Sequence, residues 1–174
     1  ACNYWKTGNP SNARLHYIAI EPYPLEAHQI DRFLSNFREL DIERKELVSI
    51  YPKPHIGFHR VWLADNKITL TFIVSPADEA LAELEAEVDL WFLNGFPLRV
   101  NPEIWCETVS LELARLSKSN AHLISICDDE KIQYRLAEEG VYLAKKNAFS
   151  GKLGTLKGKF TGKSSIQYLS LIHI

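Results

Sequence analysis

The 174-residue chain contains no methionine, only three cysteines and no apolar run long enough to cross a membrane. A membrane-spanning helix needs about 20 mostly apolar residues in succession, and the first residues lack the basic-then-apolar order of a secretory signal. Cys2, Cys106 and Cys127 lie far apart and form no C-x-x-C pair, which predicts reduced, packed thiols. We therefore expect a cytoplasmic protein.

Several common templates for chemistry are also missing. The six histidines show no H-E-x-x-H or paired-cysteine spacing, so we expect no metal site. Gly158–Ser164 ends in Gly-Lys-Ser but is one residue short of a phosphate-binding P-loop. No G-x-S-x-G motif or Cys/His arrangement for nucleophilic catalysis is present. A hydrophobic content of 46% and a net charge of −2 are typical of an ordinary globular protein and indicate no function.

The most informative segment of the chain is a strand that ends in a polar turn and restarts as a helix. Val88–Phe92 is apolar except for Asp89, a pattern typical of a strand covered on both faces in a parallel sheet. Asn94-Gly95 ends this strand, and Asn101-Pro102 predicts a helix cap followed by proline at the first helical position. Because ligands of open α/β sheets bind at the carboxyl ends of strands, this turn is the first candidate site.

Strand and helix patterns alternate along the rest of the chain. Strands are predicted at residues 15–20, 59–63, 68–74, 88–92, 122–127 and 141–144, and helices at 25–37, 77–85, 103–116 and 130–139. The alternation predicts an α/β fold with a parallel, doubly wound sheet. The strands at 59–63 and 68–74, separated by Asp65-Asn66-Lys67, are predicted to form a β-hairpin.

Four motifs, in the same order, resemble one family. Trp91–Trp105 is similar to the Asp-Gly-Phe-x-Pro-x-x-Asn-Pro-x-x-Trp signature of the methyltransferase domain of the bacterial bifunctional enzyme MnmC. Leu15–Leu25, Gly57–Arg60 and Arg135–Gly140 resemble three further motifs of that domain. The resemblance implies a divergent class I, Rossmann-like domain with a β-hairpin insertion. It also implies that S-adenosylmethionine donates a methyl group to the aminomethyl group of wobble uridine in tRNA, which forms 5-methylaminomethyl-2-thiouridine.

The resemblance also suggests where the domain is incomplete. Ala1–Trp5 is typical of the interior of a helix that in the family follows the central first strand and its glycine-rich loop. We expect a partial methyltransferase domain at 1–163 and a non-native or disordered tail at 164–174. Without that strand, its neighbours would keep unpaired edges or pair with each other, so we expect the fragment to fold poorly and to be inactive by itself. A fused oxidase domain that binds FAD is expected after this region.

The cofactor-binding and catalytic roles carry over residue by residue. Glu21 matches the family's ribose-binding glutamate, and Ser75-Pro76 replaces a Gly-Asp pair that contacts adenine. Pro76 has neither a carboxylate nor an N–H, so Ser75 and Asp78 become the candidates for that contact. Asn94 replaces the family's catalytic aspartate, and the resemblance makes it a candidate for both catalysis and cofactor binding. It can orient an amine through its side-chain carbonyl but cannot accept the proton; the alternative is that it only makes the turn before Gly95.

The candidate substrate-binding residues are Phe96, Asn101, Trp105, Lys145, Lys146 and Lys152. Trp105 either packs the following helix, which we favour, or forms a wall of the pocket for the wobble base. The lysines that follow Glu139 either form a solvated tail or contact phosphates of the tRNA partner.

Two other functions remain open. The replacements at Pro76, Asn94 and Gly151 are also compatible with a degenerate, non-catalytic methyltransferase-like domain that binds RNA. An unrelated Rossmann-like oxidoreductase is disfavoured, because the motif at Trp91–Trp105 is not a dehydrogenase feature.

Overall fold

A computed structural model of the chain describes residues 13–53, 55–93, 102–125, 129–146 and 155–161. The chain divides into two compact units, Ala1–Ala80 and Leu81–Ile174. Within the described residues, no helix is both long and apolar enough to span a bilayer. The expected tail at 164–174 and two of the cysteines, Cys2 and Cys127, lie outside these ranges.

The first unit is built on a three-stranded mixed sheet in the order β1-β3-β2. Its elements are β1 (Leu15–Ile20), α1 (Ala27–Leu34), a 3₁₀ turn (Arg38–Leu40), α2 (Asp41–Ile50), β2 (Gly57–Leu63) and β3 (Ile68–Val74). Strand β1 runs parallel to β3, whereas β2 runs antiparallel to it. Helix α3 (Ala77–Glu83) follows at the boundary between the two units.

Strands β2 and β3 form the predicted hairpin, with Leu63 opposite Ile68. Ala64, Asp65 and Asn66 adopt left-handed backbone conformations, with φ values of 52°, 52° and 65°. Asp and Asn tolerate this region because their short side chains bond locally, so the sequence supplies suitable turn residues. The backbone N–H of Ala64 also donates to Glu46 Oε1 on α2 at 2.7 Å, which ties the turn to that helix.

The core of the first unit lies along β3. Ile68, Phe72, Ile73 and Val74 are buried, and the Tyr51 ring packs on Phe72 with centroids 5.5 Å apart. β-Branched and aromatic residues of this kind favour strands, because they pack well on a pleated surface. The central strand of this sheet therefore holds its strongest apolar contacts.

The second unit contains a four-stranded mixed sheet in the order β4-β5-β7-β6. Its elements are β4 (Val88–Leu93), a 3₁₀ turn (Glu103–Trp105), α4 (Glu107–Leu116), β5 (Ser117–Ser125), α5 (Glu130–Glu138), β6 (Val141–Lys146) and β7 (Thr155–Phe160). Strands β4 and β5 are parallel, and β7 pairs antiparallel with both β5 and β6. Parallel pairing of the signature strand is confirmed. The antiparallel pairing of β7 with β5 and β6 is a departure from the parallel sheet that the strand and helix alternation predicts here.

Two further expectations need correction in this unit. Leu90 and Phe92, which share one face of β4, are 42% and 49% exposed, whereas the sequence predicted a strand covered on both faces. The helix predicted at 103–116 is divided: Cys106 is extended (φ −70°, ψ 164°), which leaves a 3₁₀ turn before α4 begins. Cys106 is a free, half-buried thiol, and the reduced state of the cysteines stays a prediction.

Strands β1 and β4 are edge strands. Over the ranges that the structure describes, β1 pairs only with β3 and β4 only with β5. The α/β class is confirmed, because both units contain helices and one parallel strand pair.

Candidate cofactor site

Glu21 lies immediately after β1, at the carboxyl end of the strand. Its backbone N–H donates to the Ile73 carbonyl at 3.0 Å and so extends the parallel pairing by one residue. Pro22 follows and lacks an N–H, so the strand ends there. One carboxylate oxygen of Glu21, Oε1, accepts a hydrogen bond from the Tyr23 N–H at 3.0 Å, and the side chain is exposed. A carboxylate offers about four lone-pair positions, so this geometry leaves acceptor capacity for ribose hydroxyls.

Tyr51 is a neighbour of Glu21 that sequence analysis missed. Burial, and then the negative charge of Glu21, raises the pKa of the Tyr51 hydroxyl above its ordinary value of 10.0. Tyr51 follows the last residue of α2, and its ring packs on Phe72, which lies opposite Ala19 of β1. Tyr51 reaches this end of the sheet because its ring, at the end of α2, packs on Phe72 of β3, and β3 pairs with β1. No local pattern in the sequence indicates this.

Ser75 follows β3, whose last residues lie beside the end of β1. Because Ile20 pairs with Ile73 in parallel register, Glu21 and Ser75 lie at the same edge of the sheet. Ser75 Oγ is 3.4 Å from Glu79 Oε2, so the hydroxyl can donate to this carboxylate. The structure therefore brings together the two residues predicted to contact ribose and adenine.

Asp78 lies in the first turn of α3 and is half-buried. An acidic side chain is favourable there because the helix N-terminus carries partial positive charge. Pro76 accepts the first bond of this helix, from the Ala80 N–H to its carbonyl at 3.0 Å. Ser75-Pro76, which replaces the family's Gly-Asp pair, thus directly precedes a helix. The adenine contact of Ser75 or Asp78 stays a prediction.

In the second unit, the carboxyl end of β4 is fixed to that of β5. Ser125 Oγ donates to the Leu93 carbonyl at 3.0 Å, and Leu93 directly precedes Asn94. Asn94 itself lies outside the described residues, as do Phe96, Asn101 and Lys152. The structure thus shows how the strand before the candidate catalytic residue is held, and the catalytic role stays a prediction.

Trp105 is 4% exposed and ends the 3₁₀ turn before α4. The backbone N–H of Trp105 donates to the Pro102 carbonyl at 3.1 Å, and the Arg135 guanidinium donates to the backbone carbonyl of Trp105. Arg135 belongs to another of the four motifs, so two of these motifs meet here. The burial supports the favoured packing role of Trp105, and a contact with the wobble base stays a prediction.

Lys145 and Lys146 lie in β6, opposite Leu156 and Thr155 of β7. Of the later lysines, Lys157 and Lys159 are exposed on β7, on either side of buried Gly158. Part of the expected solvated tail is therefore a regular strand. Within the described residues, no group of three His, Cys, Asp or Glu side chains is arranged to hold a metal ion.

Comparisons with known proteins agree with the resemblance found in the sequence. A model of the S-adenosyl-L-methionine-dependent methyltransferase family matches residues 38–161. The tRNA 5-methylaminomethyl-2-thiouridine biosynthesis bifunctional protein MnmC of Magnetococcus marinus is 36% identical over 154 residues, or 88% of this chain and 23% of that protein. The protein of the same name from Ectopseudomonas mendocina is 33% identical over 87% of this chain and 23% of its own length. The chain thus spans 23% of the length of these curated relatives.

The solved structure of MNMC2 from Aquifex aeolicus shares the fold. It superposes with a TM-score of 0.65 at 15% identity, over 86% of this chain and 45% of that chain. The predicted Rossmann-like α/β class is confirmed. The chain belongs to the S-adenosyl-L-methionine-dependent methyltransferase family, whose cofactor is S-adenosylmethionine.

Proposed function

We propose that this chain is part of a tRNA methyltransferase that methylates the aminomethyl group of wobble uridine. The observation that carries the proposal is the identity of 36% to MnmC over 88% of the chain, a protein named for 5-methylaminomethyl-2-thiouridine biosynthesis. The position of Glu21 at the carboxyl end of a parallel strand supports it, because nucleoside ligands bind at that edge of open α/β sheets.

S-adenosylmethionine supplies an activated methyl group on a sulfonium centre. Glu21 would accept hydrogen bonds from the ribose hydroxyls, and Ser75 or Asp78 would contact adenine. The side-chain carbonyl of Asn94 would accept a hydrogen bond from the substrate amine. This bond would orient the amine so that the lone pair of its nitrogen points at the methyl carbon. Orientation of this kind contributes about 7 to 11 kcal/mol to lowering a barrier, and it does not require a proton acceptor.

The nucleophile must be a neutral amine. Asn94 cannot deprotonate the substrate ammonium, because an amide side chain is not a base at neutral pH. An alkylamine with a pKa of about 10 is only about 0.1% neutral at pH 7, a handicap of roughly 4 kcal/mol. The neutral nitrogen would take the methyl group from the sulfonium, whose carbon–sulfur bond breaks to leave a neutral thioether, so the substrate ammonium must lose one proton before the attack. Asn94 cannot take this proton, so water would receive it and the reaction would be slow rather than absent.

The relatives are bifunctional and much longer than this chain, which supports a second, flavin-dependent domain in the same polypeptide. In this proposal the protein acts in the cytoplasm, where tRNA is modified, and Lys145, Lys146 and Lys152 contact tRNA phosphates. Phe96, Asn101 and Trp105 would contact or support the wobble base. Removal of these lysines together should weaken tRNA binding and its salt dependence.

Calorimetric titration of the full-length protein with S-adenosylmethionine tests the cofactor site. We expect Glu21→Gln to weaken binding by about 10- to 150-fold, because each hydrogen bond to a charged group contributes about 1.5 to 3 kcal/mol. Glu39→Gln, at an exposed glutamate in the 3₁₀ turn, is the matched control and should bind as the unaltered protein does. Equal affinity in both variants would contradict the role of Glu21.

Transfer of a labelled methyl group to tRNA that carries 5-aminomethyl-2-thiouridine tests the reaction. We expect methylated tRNA from the full-length protein and none when the tRNA lacks the aminomethyl group. If the protein binds tRNA but neither binds the cofactor nor transfers the methyl group, the non-catalytic RNA-binding function is favoured instead.

A further inference from the structure

Strand β2 presents a stripe of exposed aromatic and basic side chains, Phe58, Arg60 and Trp62. These residues alternate along the strand and therefore share one face of the sheet. Phe58 is 49% exposed and Trp62 is 55% exposed, and Arg60 is also exposed. The alternate residues of β2 are half-buried or buried on the opposite face. Large rings held in solvent on a regular strand mark an interaction surface.

Arg60 is oriented by its neighbour on β3. Its Nε donates to Thr71 Oγ1 at 3.1 Å, and Thr71 is 5% exposed, so the base of the guanidinium is held by a buried partner. A guanidinium has five N–H donors, and this bond uses one, which leaves donors for a ligand that has several acceptors. Phosphate oxygens meet this requirement.

The charge of this region favours a polyanion. Between positions 53 and 67 the net charge is +2, from three cationic residues and Asp65. The three cationic residues are Lys53, Arg60 and Lys67. Glu46 of α2, which accepts from the Ala64 N–H at the hairpin turn, lowers the charge of this region to +1, in a chain whose net charge is −2. Basic surface with interleaved aromatic rings is the combination that binds single-stranded nucleic acid, where the cations meet the backbone and the rings stack on bases.

The strand register places the Phe58 end of the stripe near Glu21. Phe58 pairs with Ile73, and Ile73 pairs with Ile20, the residue before Glu21. Phe58 and Ile20 are therefore two strand spacings apart, about 10 Å. Trp62 lies four residues further along β2, about 13 Å from Phe58. A nucleic acid strand lying on the stripe would thus run from the hairpin turn to the end of the sheet where Glu21, the proposed ribose-binding residue, lies.

We propose that Phe58, Arg60 and Trp62 form a binding site for single-stranded RNA. One base stacks on each ring, and Arg60 contacts the backbone phosphate between them. The inference rests on the proposed function, which supplies a tRNA loop as substrate, and it adds the surface that guides that loop to the methyl donor. Stacking of this kind is indifferent to base identity, because each base has an aromatic face.

The test is fluorescence anisotropy of the full-length protein with a labelled anticodon stem-loop RNA. We expect Trp62→Leu and Phe58→Leu each to weaken binding by about 5- to 150-fold, the range measured for loss of one base–aromatic stack. Trp62→Phe keeps a ring and should remain close to the unaltered protein. Phe33→Leu is the matched control, because Phe33 is an exposed ring (61%) on helix α1 rather than on β2, and this variant should bind RNA as the unaltered protein does.

Two further measurements separate stacking from charge. Arg60→Gln should reduce the slope of log affinity against log salt by about 0.7, the value for one phosphate contact on a single strand, whereas the aromatic variants should keep the slope. A blunt duplex made from the stem alone should bind the aromatic variants and the unaltered protein equally, because its bases are already stacked.

Each outcome has a defined meaning. If the unaltered protein binds the stem-loop and Trp62→Leu and Phe58→Leu bind it equally well, the site is disproved while the proposed function stands. The site is also disproved if the variants lose the same affinity for the stem-loop and for the duplex. It is equally disproved if the variants weaken binding of a protein partner and leave RNA binding unchanged. If the unaltered protein binds no RNA, the tRNA substrate fails together with this site, and the cofactor titration remains as a separate result. Unchanged thermal transitions of the variants show that any loss arises at the surface.

Discussion

Tyr51 is coupled electrostatically to Glu21: burial, and then the negative charge of Glu21, raises the pKa of the Tyr51 hydroxyl above 10.0. The folded protein therefore holds the phenolic proton more tightly than the unfolded chain does. The corresponding stability is fully present below pH of about 10 and is lost as the pH rises through the folded-state pKa. The same carboxylate that is expected to bind ribose thus contributes to alkaline unfolding.

Tyr51→Phe should make stability less sensitive to alkaline pH. We expect the free energy of unfolding in urea to fall less steeply above pH of about 10 in this variant, since no proton remains to be lost at this position. Glu21→Gln should give a smaller change in the same direction, because burial is the larger cause. Tyr142→Phe, at a tyrosine that is 72% exposed, is the control and should follow the unaltered protein. Parallel pH profiles for Tyr51→Phe and the unaltered protein would exclude this coupling.

Arg115 should matter for the stability of the second unit. Its Nη2 donates to the carbonyls of Leu81 and Leu84 at 2.9 and 3.0 Å, and its Nε donates to Glu112 Oε2 at 2.5 Å. The last carbonyls of a helix lack their usual helical partners. At the end of α3 the Leu81 carbonyl accepts from the Leu84 N–H at 3.2 Å, and the guanidinium adds a bond to it and one to the Leu84 carbonyl. We expect Arg115→Ala to lower the free energy of unfolding by about 1 to 2 kcal/mol, a value reduced because the side chain is 46% exposed.

Lys118→Ala provides the comparison for Arg115. Lys118 Nζ pairs with the Asp89 carboxylate at 3.0 Å, but the two side chains are 42% and 78% exposed. An exposed ion pair contributes at most about 1 kcal/mol, so this variant should lose less stability in the same urea titration. If both variants lose the same free energy of unfolding, the bonds from Arg115 to the backbone carbonyls stabilise the protein no more than an exposed ion pair does.

Gly57 should be intolerant of substitution although there is room for a side chain. Its φ is +121°, and a Cβ added there would meet no atom within 4 Å. The cost of Gly57→Ala is therefore conformational rather than steric, about 1 to 3 kcal/mol. Gly57 starts β2, so we expect a lower unfolding midpoint together with weaker binding of stem-loop RNA. A midpoint equal to that of the unaltered protein would mean that the strand can start with another backbone conformation.

Sequence patterns predicted the elements whose signals are local. The hairpin, the strand Leu15–Ile20 and the helix that ends before Gly140 follow from β-branched runs, turn residues and a C-terminal glycine, and all three are present. Gly140 has a φ of 85°, the left-handed conformation that commonly ends a helix. These features depend on neighbours in the chain, so they can be recognised without the fold.

Elements that depend on distant partners were missed. Helix α2 was not predicted because it is rich in charge, and much of its support comes from Arg44, which bonds both Asp41 within the helix and Asp31 on α1. Strand β7 was not predicted because its lysines and Gly158 resemble a polar tail, yet it pairs with β5 and β6. The same reason applies at the site: Glu21 follows a recognisable motif, whereas Tyr51 reaches it only through the packing of α2 on the sheet.

Asn94→Asp tests whether the missing carboxylate limits the reaction. An aspartate could accept the proton from the substrate amine, and general-base assistance typically contributes about 10² to 10⁴ in rate. We expect single-turnover methylation by the full-length protein to increase at least about tenfold at neutral pH. The rate of the unaltered protein should rise with pH as more amine becomes neutral, whereas the variant should level off at a lower pH. Asn120→Asp, at an exposed asparagine on β5, adds the same charge elsewhere and should leave both profile and rate unchanged. If Asn94→Asp and Asn120→Asp show the same rate, position 94 serves the turn before Gly95 rather than the chemistry.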